Sequence, residues 1–148
     1  EEYYFYFNRF SSHLESLQLE NKIKNKIGLY INDVMEKFKV SLIETEFLYG
    51  AFDVLKRCRR TLMYTYVFSF YCQENSQVQI FMANQRDLQI QVEHLSECLE
   101  NKLIVLEYFN LKATVLHLKN YCQQRRNVLI EHINEGTEKD WWKYNLEI

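Results

Sequence analysis

The chain has 148 residues, 47% of them hydrophobic and 16% aromatic, with no proline and only three glycines (Gly28, Gly50, Gly136). That length supports one good core, and the shortage of Pro and Gly excludes sandwiches and glycine-rich phosphate-binding folds, which need both at their turns. Eighteen Lys+Arg against twenty Asp+Glu leave a net charge of −2, which offers no electrostatic footprint for nucleic acid.

The predicted class is all-α: an elongated bundle of four long helices with a short C-terminal helical extension, forming one domain over residues 1–148. No apolar run approaches the roughly 18 residues of a membrane span. The cysteines (Cys58, Cys72, Cys98, Cys122) are scattered without a CxxC pair, which reads as buried reduced thiols inside a cell; the expected location is cytoplasmic and/or nuclear. The opening Glu1-Glu2, without a methionine, reads as the start of an excised piece of a larger chain.

In chain order, the first helix is predicted over Tyr3–Phe38. Tyr3, Phe7, Phe10, Leu14 and Leu17 are spaced 4-3-4-3 as in a coiled-coil seam. The stripe then passes to Leu19, Ile23, Ile27, Tyr30, Val34 and Phe38, so the two halves face different partners. Ser41 with Glu44 forms a capping box that opens the second helix, Ile43–Cys72. Within it, CRRTLMYTYVFSFYC (Cys58–Cys72) alternates like a strand at Leu62, Tyr64, Tyr66, Phe68 and Phe70. The helical spacing of Ile43, Phe47, Ala51, Val54, Cys58, Leu62, Tyr66 and Phe70 overrides that signal, and no second strand exists to pair with it. A helix apolar nearly all round is a core helix, so this one is placed in the middle of the bundle.

Ser76 with Gln79 is read as the cap of the third helix, Gln77–Leu99, whose seam is Phe81, Gln85, Leu88, Val92, Leu95 and Leu99. Residues 101–110 read as a loop with a turn of helix. The fourth helix, Leu111–Ile133, carries Val115, Leu118, Cys122 and Leu129 on one face. Gly136 is expected to interrupt it, with Thr137 and Asp140 capping a short amphipathic end that bears Trp141, Trp142 and Tyr144.

Residues with chemical potential are few. His94 with Cys98, and His117 with Cys122, are the raw material for a zinc site, but the close Cys/His pairs that zinc requires are missing. Cys98 with His94 as nucleophile and base lacks an orienting group and an oxyanion motif. The basic runs Lys56–Arg60 and Arg125–Arg126 fan around their helices with Asp53, Glu46 and Glu131 in reach, and read as salt-bridged solvent faces. The residues alone therefore describe a helical interaction module without catalytic residues, metal ligands or cofactor site.

Several stretches carry a resemblance: YYFYFNRF (Tyr3–Phe10), HLESLQLE (His13–Glu20), CRRTLMYTYVFSFY (Cys58–Tyr71), NQRDL (Asn84–Leu88), YCQQRRNVLIEHINEG (Tyr121–Gly136) and EKDWW (Glu138–Trp142). Together they resemble the Ariadne domain of RING-between-RING ubiquitin ligases, in the manner of the Ariadne-1 branch. The resemblance implies a regulatory domain that folds over the ligase's own catalytic RING-like domain and keeps it inactive until a neddylated cullin–RING ligase binds. Zinc and the ubiquitin-conjugating enzyme would then belong to the RING-like domains, outside these residues. It also implies that Leu19, Glu20 and Glu93 form the autoinhibitory docking patch; Leu19 stands where many relatives have phenylalanine. The chain departs from the family pattern in a shorter loop before Ser41 and in residues 101–110. Two rival readings are a stand-alone helical scaffold for a partner helix and an enzyme using Cys98 and His94.

Overall fold

In the computed structural model, which describes residues 1–145, Leu62–Phe70 is helix and lies inside α4 (Phe47–Tyr71). Before it come α1 (Glu2–Gln18), α2 (Glu20–Phe38) and the single turn α3 (Leu42–Thr45). After it come α5 (Ser76–Asn101), a 3-10 turn (Val105–Glu107) and α6 (Tyr108–Glu138). Four long arms result: α1 with α2, then α4, α5 and α6. Among the described residues there is no strand, only one antiparallel bridge between Cys72 and Tyr144.

α4 sits in the middle, packed against α1, α5 and α6, but it is not wrapped all round: Tyr64, Val67 and Tyr71 stay exposed on one face. Leu48, Cys58 and Leu62 are wholly buried on it. The α5 seam is likewise buried at every predicted position, from Phe81 through Gln85 to Leu99. The connection is shorter than the expected 101–110: only residues 102–107 lie between α5 and α6, and Tyr108, which opens α6, is 1% exposed and packs among Tyr30, Phe38 and Phe47.

Two registers position everything below. α1 and α2 run parallel to α5 and the chain just after it. Tyr6 donates to Met82 Sδ, His13 meets Gln89, Lys26 donates to the Glu100 carbonyl and Tyr30 to the Ile104 carbonyl, at sequence separations of 76, 76, 74 and 74. α1 runs antiparallel to α4, with Tyr3 against Phe70, Tyr6 against Tyr66 and His13 against Arg59.

Several local expectations are corrected. The Tyr3–Phe38 helix is broken at Leu19 (φ −94°, ψ 9°), where the backbone N–H turns to Ser16 O at 3.2 Å. The stripe changes face at that point: α1 lies along α4, whereas α2 is shared between α4 and α5. Ser41 caps as expected, accepting from Glu44 N at 3.3 Å, but the helix pauses at Glu46 before α4 begins. α5 is capped by Asn75, whose Oδ1 accepts from Val78 N at 2.9 Å; Ser76 is already helical.

Gly136 does not interrupt α6. It is the one residue there that leaves room for the Trp142 ring, into which a Cβ would run. Thr137, instead of capping a new helix, donates back to the Ile133 carbonyl at 2.8 Å. The C-terminal extension is thus an extended strap. Trp142, 4% exposed, is anchored by its Nε1–H on the Ile133 carbonyl at 3.0 Å, and Tyr144 bridges to Cys72.

Candidate protein-docking site

The α5 helix has a second stripe beside its apolar seam: Gln85, Gln89, Glu93, Ser96 and Glu100, spaced 4-4-3-4. A buried polar seam is costly unless every group is paired, and this one is paired by α4 and α1. Gln85 Nε2 donates to Thr65 Oγ1 at 3.0 Å and Ser69 Oγ at 3.3 Å. Arg59, 5% exposed, reaches His13 Nδ1 at 3.1 Å and Glu93 Oε1 at 3.2 Å through Nη1, and Ser96 Oγ at 2.9 Å through Nη2. Ser96 in turn donates to Glu100 Oε2 at 2.6 Å.

Because a guanidinium only donates, His13 Nδ1 must accept. The ring proton is therefore on Nε2 and is given to Gln89 Oε1 at 2.6 Å. The same oxygen accepts the Tyr66 hydroxyl at 2.8 Å, while Gln89 Nε2 donates to Glu93 Oε1 at 3.1 Å. Glu93 Oε1 is thus held from two sides. Its Oε2 has no hydrogen-bond partner among the described residues, and the side chain is 50% exposed.

His13 is fully buried, and burial with the nearby Arg59 charge holds its pKa below the usual value of about 6.5. The unfolded chain takes up a proton near that pH while the folded ring resists it, so stability is complete above about pH 6.5 and falls as the pH drops. His132, also depressed by burial, acts in the same direction. The urea midpoint should therefore decline between pH 7.5 and 5.5, and His13→Gln should flatten that decline. An unchanged slope in the variant would show that the buried ring does not set the pH dependence.

The three residues singled out by resemblance lie as follows. Leu19 is 54% exposed at the break between α1 and α2, Glu20 is half-buried in the first turn of α2, and Glu93 faces outward from α5. The separation of 74 to 76 that relates α1–α2 to α5 brings Leu19 and Glu20 level with residues 93–96. Glu93 is more than a solvated carboxylate: it is the counter-charge of a buried arginine.

The basic run Lys56–Arg60 is corrected accordingly, since Arg59 is interior while Lys56 pairs with Asp53 at 3.5 Å. A signal for Arg59 was present in the sequence. Leu55, Arg59, Leu62 and Tyr66 are spaced 4-3-4 along one buried face. His13 falls seven residues after Tyr6, the other buried residue of α1.

Metal and nucleophile chemistry find no footing in this geometry. His94 and His117 are exposed while Cys98 and Cys122 are buried, and no group of three His, Cys, Asp or Glu comes together to hold a metal ion among the described residues. Burial pushes the Cys58 and Cys122 thiols up to about 12, Cys72 to about 11, and Cys98 upward as well. Burial favours the protonated thiol at all four positions and disfavours the thiolate that a nucleophile needs.

The family model for the Ariadne domain matches residues 1–140. The chain belongs to the Ariadne family. It is 42% identical over 144 residues to the human "E3 ubiquitin-protein ligase ARIH1" and 40% identical over 142 residues to the Drosophila melanogaster "E3 ubiquitin-protein ligase ariadne-1". It is also 40% identical over 145 residues to the Caenorhabditis elegans "E3 ubiquitin-protein ligase ari-1.1". These alignments take in 97%, 96% and 98% of this chain but 26%, 28% and 29% of the respective relatives. The Ariadne domain therefore spans little more than a quarter of the ligases it matches. No helix among its described residues is long and apolar enough to cross a membrane.

Proposed function

We propose that this Ariadne domain is the autoinhibitory, partner-sensing part of a RING-between-RING ubiquitin-protein ligase. In this reading residues 1–148 form one regulatory unit of a longer chain. Leu19, Glu20 and Glu93 dock onto that chain's own catalytic RING-like domain and cover its ubiquitin-accepting site. A neddylated cullin–RING complex displaces the clamp, while a ubiquitin-conjugating enzyme and structural zinc belong to the RING-like domains. The ligase works in the cytoplasm and/or nucleus.

One observation carries the reading: the Glu93 carboxylate is fixed through Oε1 by Arg59 and Gln89 with Oε2 left open, at the level of an exposed leucine in a helix break. A carboxylate immobilised in this way loses little side-chain entropy when a partner's N–H donor meets it, and such charge-assisted bonds are the stronger kind. An intramolecular clamp also acts at high effective concentration, so weak contacts suffice to keep a site covered.

The reading is tested in trans. Added to the separately prepared catalytic RING-like domain of the same ligase, the chain should slow ubiquitin transfer in a saturable way. The variant combining Leu19→Ala, Glu20→Ala and Glu93→Gln should not. Equal inhibition by both would remove these residues from the docking surface.

A further inference from the structure

The seam that the sequence marks along α1 is not used up by the fold. The buried residues of α1 are Tyr6 and His13, whereas Tyr3 is 54% exposed, Phe7 49% and Leu14 40%. A heptad seam left open is a helix face without its partner. Beside it runs an exposed stripe of α4, Arg57, Arg60, Tyr64, Val67 and Tyr71, spaced 3-4-3-4, with Tyr64 66% exposed and Val67 and Tyr71 each 41%. Tyr3, Phe7, Phe10, Val67, Phe70 and Tyr71 line the groove between the two helices.

The groove is electrostatically polar along its length. Glu1 and Glu2 stand at its Tyr3 end. The antiparallel register, with Tyr3 against Phe70 and His13 against Arg59, puts Arg57 and Arg60 at the other, on either side of the level of Leu14. Both arginines are exposed and make no ion pair among the described residues, although their neighbours Lys56 and Arg59 do. Glu15 is the acidic residue nearest that level on α1, but it is turned about 100° from Leu14 around the helix and pairs with neither arginine.

We infer that this groove seats a partner helix with an apolar stripe of 3-4 spacing and carboxylates at the end that meets Arg57 and Arg60. The partner completes a three-helix packing in which α1 supplies the seam the sequence announces. The acidic Tyr3 end opposes an anionic membrane surface or nucleic acid, leaving a helix with one acidic end as the complementary shape. This surface is built from α1 and α4 and is separate from the Glu93 docking residues, so the inference stands or falls independently of the proposed autoinhibition.

The test uses two stapled, fluorescein-labelled helices with leucines at 3-4 spacing, one ending in a glutamate cluster and the other in a lysine cluster. In anisotropy titrations the glutamate helix should bind about tenfold more tightly, the scale of two exposed charge pairs acting together. The preference should shrink in high salt. Arg57→Glu with Arg60→Glu should reverse it, and Val67→Glu should abolish binding of both helices with the circular dichroism unchanged. If Val67→Glu unfolds, the charge reversal at two exposed positions still decides the matter. Equal affinity for the two helices, or no saturable binding, would overturn the inference. So would a chain that sediments as a dimer and binds the probe only on dissociation, because a second copy would then be the occupant.

Discussion

Arg59→Ala should lower the stability of the Ariadne domain by about 3–5 kcal/mol, the combined scale of a cavity left by a large buried side chain and a buried acceptor left without its donor. The side chain is 5% exposed and ties α4 to His13 on α1 and to Glu93 and Ser96 on α5. Truncation leaves a cavity and strands His13 Nδ1, fully buried, without a donor, which alone is worth roughly 1–3 kcal/mol. Little of the loss comes from Glu93, whose side chain is 50% exposed and turns to water instead. Arg59→Lys should fall between the two, because an ammonium keeps the charge but cannot span three partners with a planar fork. Chemical denaturation reads this as a lowered midpoint at unchanged slope. A loss below about 1 kcal/mol for the alanine variant would mean that the network is ornamental to the fold.

Tyr66→Ala should cost a similar amount, about 3–5 kcal/mol. Its ring is 3% exposed, stacks on His13 at 6.0 Å and lies 6.2 Å from Tyr6, and its hydroxyl donates to Gln89 Oε1 at 2.8 Å. Tyr66→Phe separates the two contributions. It keeps the ring and removes one hydrogen bond, and Gln89 Oε1 still receives the His13 proton, so about 0.5–1.5 kcal/mol is expected. Phe70→Ala should cost less than Tyr66→Ala, since Phe70 borders the open groove between α1 and α4 and is only partly buried. Thermal or urea midpoints rank the three variants. Equal losses for Tyr66→Ala and Phe70→Ala would contradict the placement of Tyr66 at the centre.

The frame of this fold was legible because its helices carry long apolar periods. The spacing that links Ala51, Val54, Cys58, Leu62 and Tyr66 outvoted a local alternation that looks like a strand, and α4 is helical throughout. The break at Leu19 left only an indirect trace, a stripe that changes face, because neither Gly nor Pro marks it. Gly136 misled in the opposite direction. Its missing Cβ serves the Trp142 ring rather than a helix end.

The candidate site was half legible. Resemblance pointed to Leu19, Glu20 and Glu93, and helical geometry allowed Glu93 to face outward. Arg59 and His13 stayed hidden because a charged residue within a basic run, or a lone histidine on an aromatic helix, reads as surface until its partners are placed. Those partners come from three helices, and no single stretch of sequence displays them together.

That network also decides how the central claim is measured. Glu93→Ala would leave the buried Arg59 guanidinium without either counter-charge or acceptor, whereas Glu93→Gln keeps an acceptor oxygen for it while removing the charge, both from the Arg59 pair and from what is offered to a docking partner. The decisive measurement is autoubiquitination, without any cullin complex, by a full-length ligase carrying this domain with Leu19→Ala, Glu20→Ala and Glu93→Gln together. Circular dichroism of the same variant establishes that the domain stays helical. Basal transfer should rise clearly above that of the unaltered ligase, and the added activation by a neddylated cullin–RING complex should shrink to match. Unchanged basal transfer in a folded variant would contradict the account and return these three residues to ordinary packing and surface.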